Sequence, residues 1–446
     1  MIVTPEIAKM ILKPLCENGT PPNFGLEHFS SGFEDIIKTL TDVYLDDIIL
    51  KKGSSFKFIS ASFGGGKTHL VKQFREKAWE KNYVTCYVTL DERSTQFHKL
   101  LTVFQAIINH LQAPLSDQDK IDIFGELKRR EELGLSKLLK EFYFKKKNEF
   151  KQKNNSDWEK NILEYINEIR DFDSIYFGRV IRNMLKSLVF DNRDDFENLE
   201  KWFDGELLGG IDKKFDIKKI PENESFRLLQ SLSQLITEIF RYRGLILFFD
   251  ETEQHALRSK DKDIQIANLR QIIDKCGDQS LSSILFFYTV PNAEEFLQSK
   301  GHGYDAIKQR LEKLFSQQHP LFPNVNLEKI MSDDDSAKMY QLQYVGNKLG
   351  ELYRIGYNTT FPDNLNVSIG NVAKACLEQK FGQVNYRRLF IQSACEALGK
   401  LSDGNLSEIT PEMAIKIASN QKFNDSDDDD NPSGVSDSDE NSQNYN

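Results

Sequence analysis

The run Ala61-Ser62-Phe63-Gly64-Gly65-Gly66-Lys67-Thr68 gathers three glycines, an ammonium and two hydroxyls within eight consecutive residues. It matches the form G-x-x-x-x-G-K-[ST] at every fixed position except the first, where Ala61 stands in place of glycine. Such a run suits a polyanion. Backbone N–H groups can surround a phosphate chain only where side chains do not obstruct them, hence Gly64, Gly65 and Gly66. Lys67 would meet the β- and γ-phosphates of ATP, the Thr68 hydroxyl would ligate Mg2+, and the start of the following helix adds its dipole. His69 is counted with the nucleotide-contacting candidates, although it also reads as simply the next helical residue.

The segment Leu245-Ile246-Leu247-Phe248-Phe249-Asp250-Glu251 is an apolar run ending in two carboxylates. A buried strand delivers its C-terminal residues to the crevice above a parallel sheet, where open α/β folds bind ligands. There Asp250 would hold Mg2+ through water, and Glu251 would orient or deprotonate the attacking water. Glu253 is a rival for the base.

Thr289 closes another apolar run and is a catalytic candidate, set to hold the water near the γ-phosphate; Asn292 is the alternative. Arg310, in Ile307-Lys308-Gln309-Arg310-Leu311-Glu312, stands where an arginine finger would neutralise charge on the transferred phosphoryl group. A finger acting in trans requires subunits to meet; a solvated helix arginine is the plainer reading. Gly382-Gln383-Val384-Asn385-Tyr386-Arg387-Arg388-Leu389 resembles the start of a lid helix whose arginine reaches back to the nucleotide, by Arg387 or Arg388, with Arg387 favoured. Phe142-Tyr143-Phe144-Lys145-Lys146-Lys147, continuing to Phe150, Lys151 and Lys153, mixes rings and cations as a nucleic-acid grip can, although such runs are more often an amphipathic helix with a solvated face.

These residues need a scaffold of strand, loop and helix. Phe56 to Ser60 reads as the strand before the glycine run, a helix carrying Leu70, Phe74 and Ala78 as the element after it, and Tyr83 to Leu90 as a second strand. Leu245 to Phe249 and Ile284 to Thr289 complete a parallel sheet. The 183 residues from Lys67 to Asp250 exceed what a compact core needs, so the helical, charged stretch between them is read as an insertion. The predicted organisation is an N-terminal helical entry (1–50), a first core part (51–94), a helical insertion (95–241), a second core part (242–318), a helical lid (319–423) and a disordered acidic tail (424–446). The second entry helix runs from about Phe33 to Ile49, and a loop is predicted at His319 to Asn326. The fold class is α/β, an AAA-like P-loop NTPase core with a parallel sheet.

Composition narrows the setting. Hydrophobic residues at 39% and charged residues at 28% are globular values. The formal charge of -10 is concentrated in the tail, which holds eight carboxylates and no Lys or Arg and leaves the rest near -2. A nearly neutral body neither demands nor excludes nucleic acid. The five cysteines form no C-x-x-C pair, so neither a zinc site nor a disulfide framework is expected. No export signal or membrane span is visible, which points to the cytoplasm and to no membrane partner.

With both acidic and glycine-rich segments in place, the chain resembles the P-loop ATPases of BREX bacteriophage-defence systems, especially the BrxD type, over roughly residues 10 to 400. The resemblance is carried by Asn18-Gly19-Thr20-Pro21-Pro22 with Ser31-Gly32-Phe33-Glu34, by Leu199-Glu200-Lys201-Trp202-Phe203-Asp204-Gly205-Glu206, and by Arg243-Gly244-Leu245 through Glu253. It implies an ATPase at work in a multi-gene defence system, as a homo-oligomer or in a hetero-complex with a helicase or DNA-modifying assembly, DNA being met directly or through the partner. The leading expectation is an ATPase that remodels or loads a DNA-associated complex. The alternatives are a nucleotide-dependent switch or scaffold with little turnover, and a STAND-type sensor.

Overall fold

The long apolar runs become the centre of a six-stranded sheet. The computed structural model describes residues 3–62, 64–90, 95–114, 134–153, 157–206, 210–251, 259–293, 296, 302–330, 334–379, 386–404 and 406–421. The acidic segment 424–446 and Glu253 lie outside them. The strands are β1 (Ser55–Ser60), β2 (Val84–Leu90), β3 (Leu111–Gln112), β4 (Leu245–Glu251), β5 (Ile284–Val290) and β6 (Asn324–Asn326), in the order β3-β2-β4-β5-β1-β6. All pairs are parallel except β2 with the short edge strand β3. Strands covered on both faces can be apolar throughout, which is why β4 and β5 read as unbroken hydrophobic segments.

Successive side chains alternate between the two faces. Leu245, Leu247 and Phe249 of β4, with Ile284, Phe286 and Tyr288 of β5, point into one core. Ile246, Phe248, Leu285 and Phe287 point into the other, against α2 (Glu34–Leu40, continued as a π-helical stretch Thr41–Ile48) and α3 (Lys67–Glu80). The inserted helices fill the first face: α4 (Leu100–His110), α5 (Gly134–Lys153), α6 (Trp158–Asn167), α7 (Ile175–Val189), α8 (Arg193–Phe203), α9 (Ile211–Phe215) and α10 (Ser225–Gln234). Their Leu138, Met184, Leu199, Trp202 and Leu232 share one continuous core with Leu247 and Phe286. The insertion is therefore built onto the sheet.

Beyond α11 (Ser259–Gly277), α12 (His302–Leu311) and the short α13 (Leu327–Ile330), four helices form a bundle: α14 (Asp335–Tyr357), α15 (Leu365–Glu378), α16 (Tyr386–Ser402) and α17 (Pro411–Asn420). The first helix of the chain joins them. α1 (Pro5–Asn18) starts at a Thr4 cap that accepts the Ile7 amide, has Pro5 where a missing N–H costs nothing, and ends at Gly19 with φ +64°. Its face of Ile7, Ala8, Ile11, Leu12 and Leu15 is buried against Leu349, Leu389 and Leu398. Residues 1–50 are thus split, with α1 in the bundle's core and α2 on the sheet.

The end of the expected loop at His319 to Asn326 is β6, which pairs with Phe58–Ser60; Asn-Val-Asn is too short to show any periodicity. Residues 320–322 are pinned by a lysine with no exposed surface. Lys57 Nζ donates to the carbonyls of Pro320 at 2.9 Å and Phe322 at 2.6 Å, between the rings of Tyr44 and Phe315. Burial draws its pKa down to about 7.

The aromatic and basic run on α5 packs as the amphipathic-helix reading expects. Phe142 packs on Tyr165 and Phe240, Tyr143 is buried, Phe150 meets Tyr165, and Lys147 and Lys151 cover Trp158. Ring faces used inside the fold are not offered to bases; Phe144 is the exposed ring of the run.

Glu76 of α3 accepts the Gly25 amide at 3.1 Å, and burial with Glu27 nearby raises its carboxyl to about 8. A carboxyl whose folded pKa lies above its unfolded value of about 4.3 binds its proton more tightly when folded, so stability falls as pH climbs between the two. Glu76→Gln should remove this slope: its melting temperature matches wild type at pH 4 and exceeds it by about 1–3 °C at pH 8.5, read by scanning calorimetry.

Candidate functional site

The glycine-rich turn leaves the end of β1 and enters α3 at Lys67. Gly64 and Gly66 have φ of +70° and +97°, backbone that L side chains rarely adopt. A Cβ on Gly66 would lie 2.6 Å from the Phe33 ring, and one on Gly65 would lie 2.8 Å from both the Ala61 Cβ and the Ser62 carbonyl oxygen. Ala61 is accommodated because Gly65 has no side chain. Lys67 Nζ donates to the carbonyls of Ala61 at 2.6 Å and Ser62 at 3.3 Å, so its ammonium lies over its own loop. Thr68 follows in the first turn of α3.

His69 is placed elsewhere, against the expectation that it joins the phosphate group. Its Nε2 lies 2.6 Å from the Ser30 hydroxyl, and its ring stacks on Phe33 and meets Phe29 edge-on. Burial, with Arg387 and Lys72 adding repulsion, lowers its pKa to about 4, so the imidazole is neutral and acts in packing.

Asp250 and Thr289 are cross-strand neighbours at the ends of β4 and β5. The Thr289 hydroxyl donates to Asp250 Oδ1, and the Tyr87 hydroxyl, from β2 on the other side, donates to Asp250 Oδ2. Glu251 is the last residue of β4, paired with Leu90. Asn292 lies past the end of β5 and is exposed. A threonine hydroxyl and a carboxylate are hard oxygen ligands, the donor type Mg2+ prefers, so Thr68 and Asp250 fit the ion chemically.

The two lid arginines separate. Arg387 Nη1 donates to the Gly65 carbonyl at 3.2 Å, with its guanidinium over the rings of Phe33 and Tyr386. Arg388 donates from Nε and Nη2 to the Asn18 carbonyl at 3.2 and 3.1 Å, tying α16 to the end of α1. Arg310 does not join the group: Nε pairs with Asp274 at 2.8 Å and Nη1 donates to the Ala306 carbonyl. Two residues at the site carried no sequence signal, Tyr87 inside an apolar strand and Glu328, whose carboxylate accepts the Ser62 amide at 2.9 Å.

Arg387→Met should weaken nucleoside-triphosphate affinity about tenfold, the scale of one hydrogen bond to a charged group, while Arg388→Met stays within about twofold. Isothermal titration of both variants checks this, and equal losses would remove the distinction.

No curated protein and no solved structure matches the chain. The family model described as "BREX system ATP-binding protein BrxC/D" matches residues 3–413. A match over nearly the whole length, together with the glycine-rich turn, the Asp250 strand end and the arginine on the loop, places this chain in the BrxC/D family of BREX system ATP-binding proteins.

Proposed function

We propose that the chain hydrolyses the ATP it binds and uses the cycle to remodel or load a DNA-associated complex in phage defence. The observation that carries this reading is the convergence at the C-terminal ends of the central strands. β5 lies between β4 and β1, so Asp250, Thr289 and the glycine-rich turn stand side by side, with Arg387 on the Gly65 carbonyl. On binding, the Lys67 ammonium exchanges the carbonyls of Ala61 and Ser62 for the β- and γ-phosphates. Glu251, next after Asp250, takes the proton of the attacking water, and Thr289 fixes that water's position. Mg2+, held by Thr68 and Asp250, would neutralise phosphate charge.

This reading assigns the base and ribose to a cleft near the loop. A cleft of about 910 Å³ is lined by Gly32, Glu34, Lys329, Tyr340 and Gln341 among others. Chain neighbours of its lining reach the loop: Phe33, between Gly32 and Glu34, packs under Gly66, and Glu328, next to Lys329, holds the Ser62 amide. Partners follow the same reading: a homo-oligomer or a hetero-complex with other defence proteins, among them a helicase, in the cytoplasm. Among the described residues no helix is long and apolar enough to cross a membrane.

One observation favours a second reading, a nucleotide-dependent switch with little turnover. Arg310, the finger candidate, is paired with Asp274 of its own chain. Turnover that rises with protein concentration and is lost in Arg310→Ala supports the oligomeric ATPase; turnover independent of both supports the switch.

The central test is Glu251→Gln. Loss of a general base should lower turnover about 10²- to 10⁴-fold while ATP affinity is kept, whereas Lys67→Ala loses affinity itself. Equal turnover in wild type and Glu251→Gln would end the hydrolysis reading, and purified protein with no affinity for adenine nucleotide in magnesium would end the whole assignment.

A further inference from the structure

We infer that Tyr87 is a positioning residue, which fixes the Asp250 carboxylate for its metal. The parallel register sets Thr89 of β2 and Thr289 of β5 on either side of Asp250. Tyr87 lies two residues before Thr89 and so shares its face, and its long side chain reaches diagonally to Asp250. The carboxylate receives one hydroxyl proton on each oxygen, from Tyr87 on Oδ2 and from Thr289 on Oδ1. Donors from opposite neighbours stop the group from turning about its own bond.

The donor types matter. An ionised carboxylate oxygen accepts about two hydrogen bonds, so each oxygen keeps one lone-pair direction for a metal or its water shell. A lysine or arginine at either place would cancel the charge that draws the cation, whereas neutral hydroxyls orient the group and leave its charge intact. Both donors stand on strands of a buried sheet, the rigid support that a site held to within about half an ångström requires. The Tyr87 ring packs against the core beneath α3, so phenylalanine fills the same space and removes only the hydroxyl.

This inference rests on the Mg-ATP reading, and its test separates the two. The affinity of a fluorescent N-methylanthraniloyl ATP is measured in EDTA and then across a Mg2+ titration, for wild type, Tyr87→Phe, Asp250→Asn and the double variant. Wild type and Tyr87→Phe should bind alike in EDTA, with Tyr87→Phe needing about tenfold more Mg2+ to reach half of the metal-dependent gain. In the Asp250→Asn background the Tyr87→Phe change should add nothing. A Mg2+ midpoint equal to wild type overturns the role assigned to Tyr87 and leaves nucleotide binding standing; so does an equal shift in the Asp250→Asn background, which would show that the hydroxyl acts elsewhere. Wild type without affinity in either condition overturns the ATP reading and this inference with it.

Discussion

A loop that grips a phosphate chain must leave amide N–H groups bare, and bare backbone groups near a protein core are costly unless the rest of the loop is satisfied. Here that satisfaction comes from charged side chains. The Lys67 ammonium takes the carbonyls of Ala61 and Ser62, the Arg387 guanidinium takes the carbonyl of Gly65, and the Glu328 carboxylate takes the amide of Ser62. Only Lys67 belongs to the loop. Glu328 follows the edge strand β6 and Arg387 comes from the helical bundle, so the turn is where sheet, edge and lid meet.

That junction explains why the start of the chain lies with its end. Arg387 and Arg388 are neighbours on α16; one holds the loop and the other holds the last carbonyl of α1. α1 shares a buried core with the four bundle helices, so a displacement of the lid carries α1 with it. Phe33 then stands at the crossing point, below Gly66, beside His69 and under the Arg387 guanidinium. Its ring makes a glycine obligatory at residue 66 for packing as well as for backbone conformation.

What the sequence revealed and what it hid divide by the range of the interaction. The glycine run and the strands β1, β2, β4 and β5 were legible because their constraints are local: a turn that excludes Cβ atoms, and unbroken apolar runs that only a doubly covered strand tolerates. Tyr87 and Glu328 were illegible because their partners, Asp250 and Ser62, lie 163 and 266 residues away. The burial of Lys57 was equally hidden, because it depends on the carbonyls of Pro320 and Phe322 being brought to it. The rings of α5 admitted a nucleic-acid grip beside the amphipathic helix because composition cannot tell a ring that faces a base from one that faces Phe240. The choice between Arg387 and Arg388 was open for a geometric reason, since adjacent helical residues point about 100° apart and only the packed bundle decides which one faces the loop.

The insertion matters to the site through the alternation of the strands. Asp250 and Thr289 face α3; the residues just before them, Phe249 and Tyr288, face the other way and belong to the core that the inserted helices complete. Phe97 meets both of those rings edge-on, at 5.5 Å from Phe249 and 5.1 Å from Tyr288, and Gln265 of α11 donates to the Tyr288 hydroxyl. Packed interiors transmit displacement because they hold few voids to absorb it. A shift of the Phe97 wedge is therefore felt at once by both strands, one residue away from the Asp250 carboxylate and the Thr289 hydroxyl. Had the insertion been a separate globule on a linker, its movements would end at the linker. Fused to the sheet behind Asp250 and Thr289, its packing is part of what holds them in register.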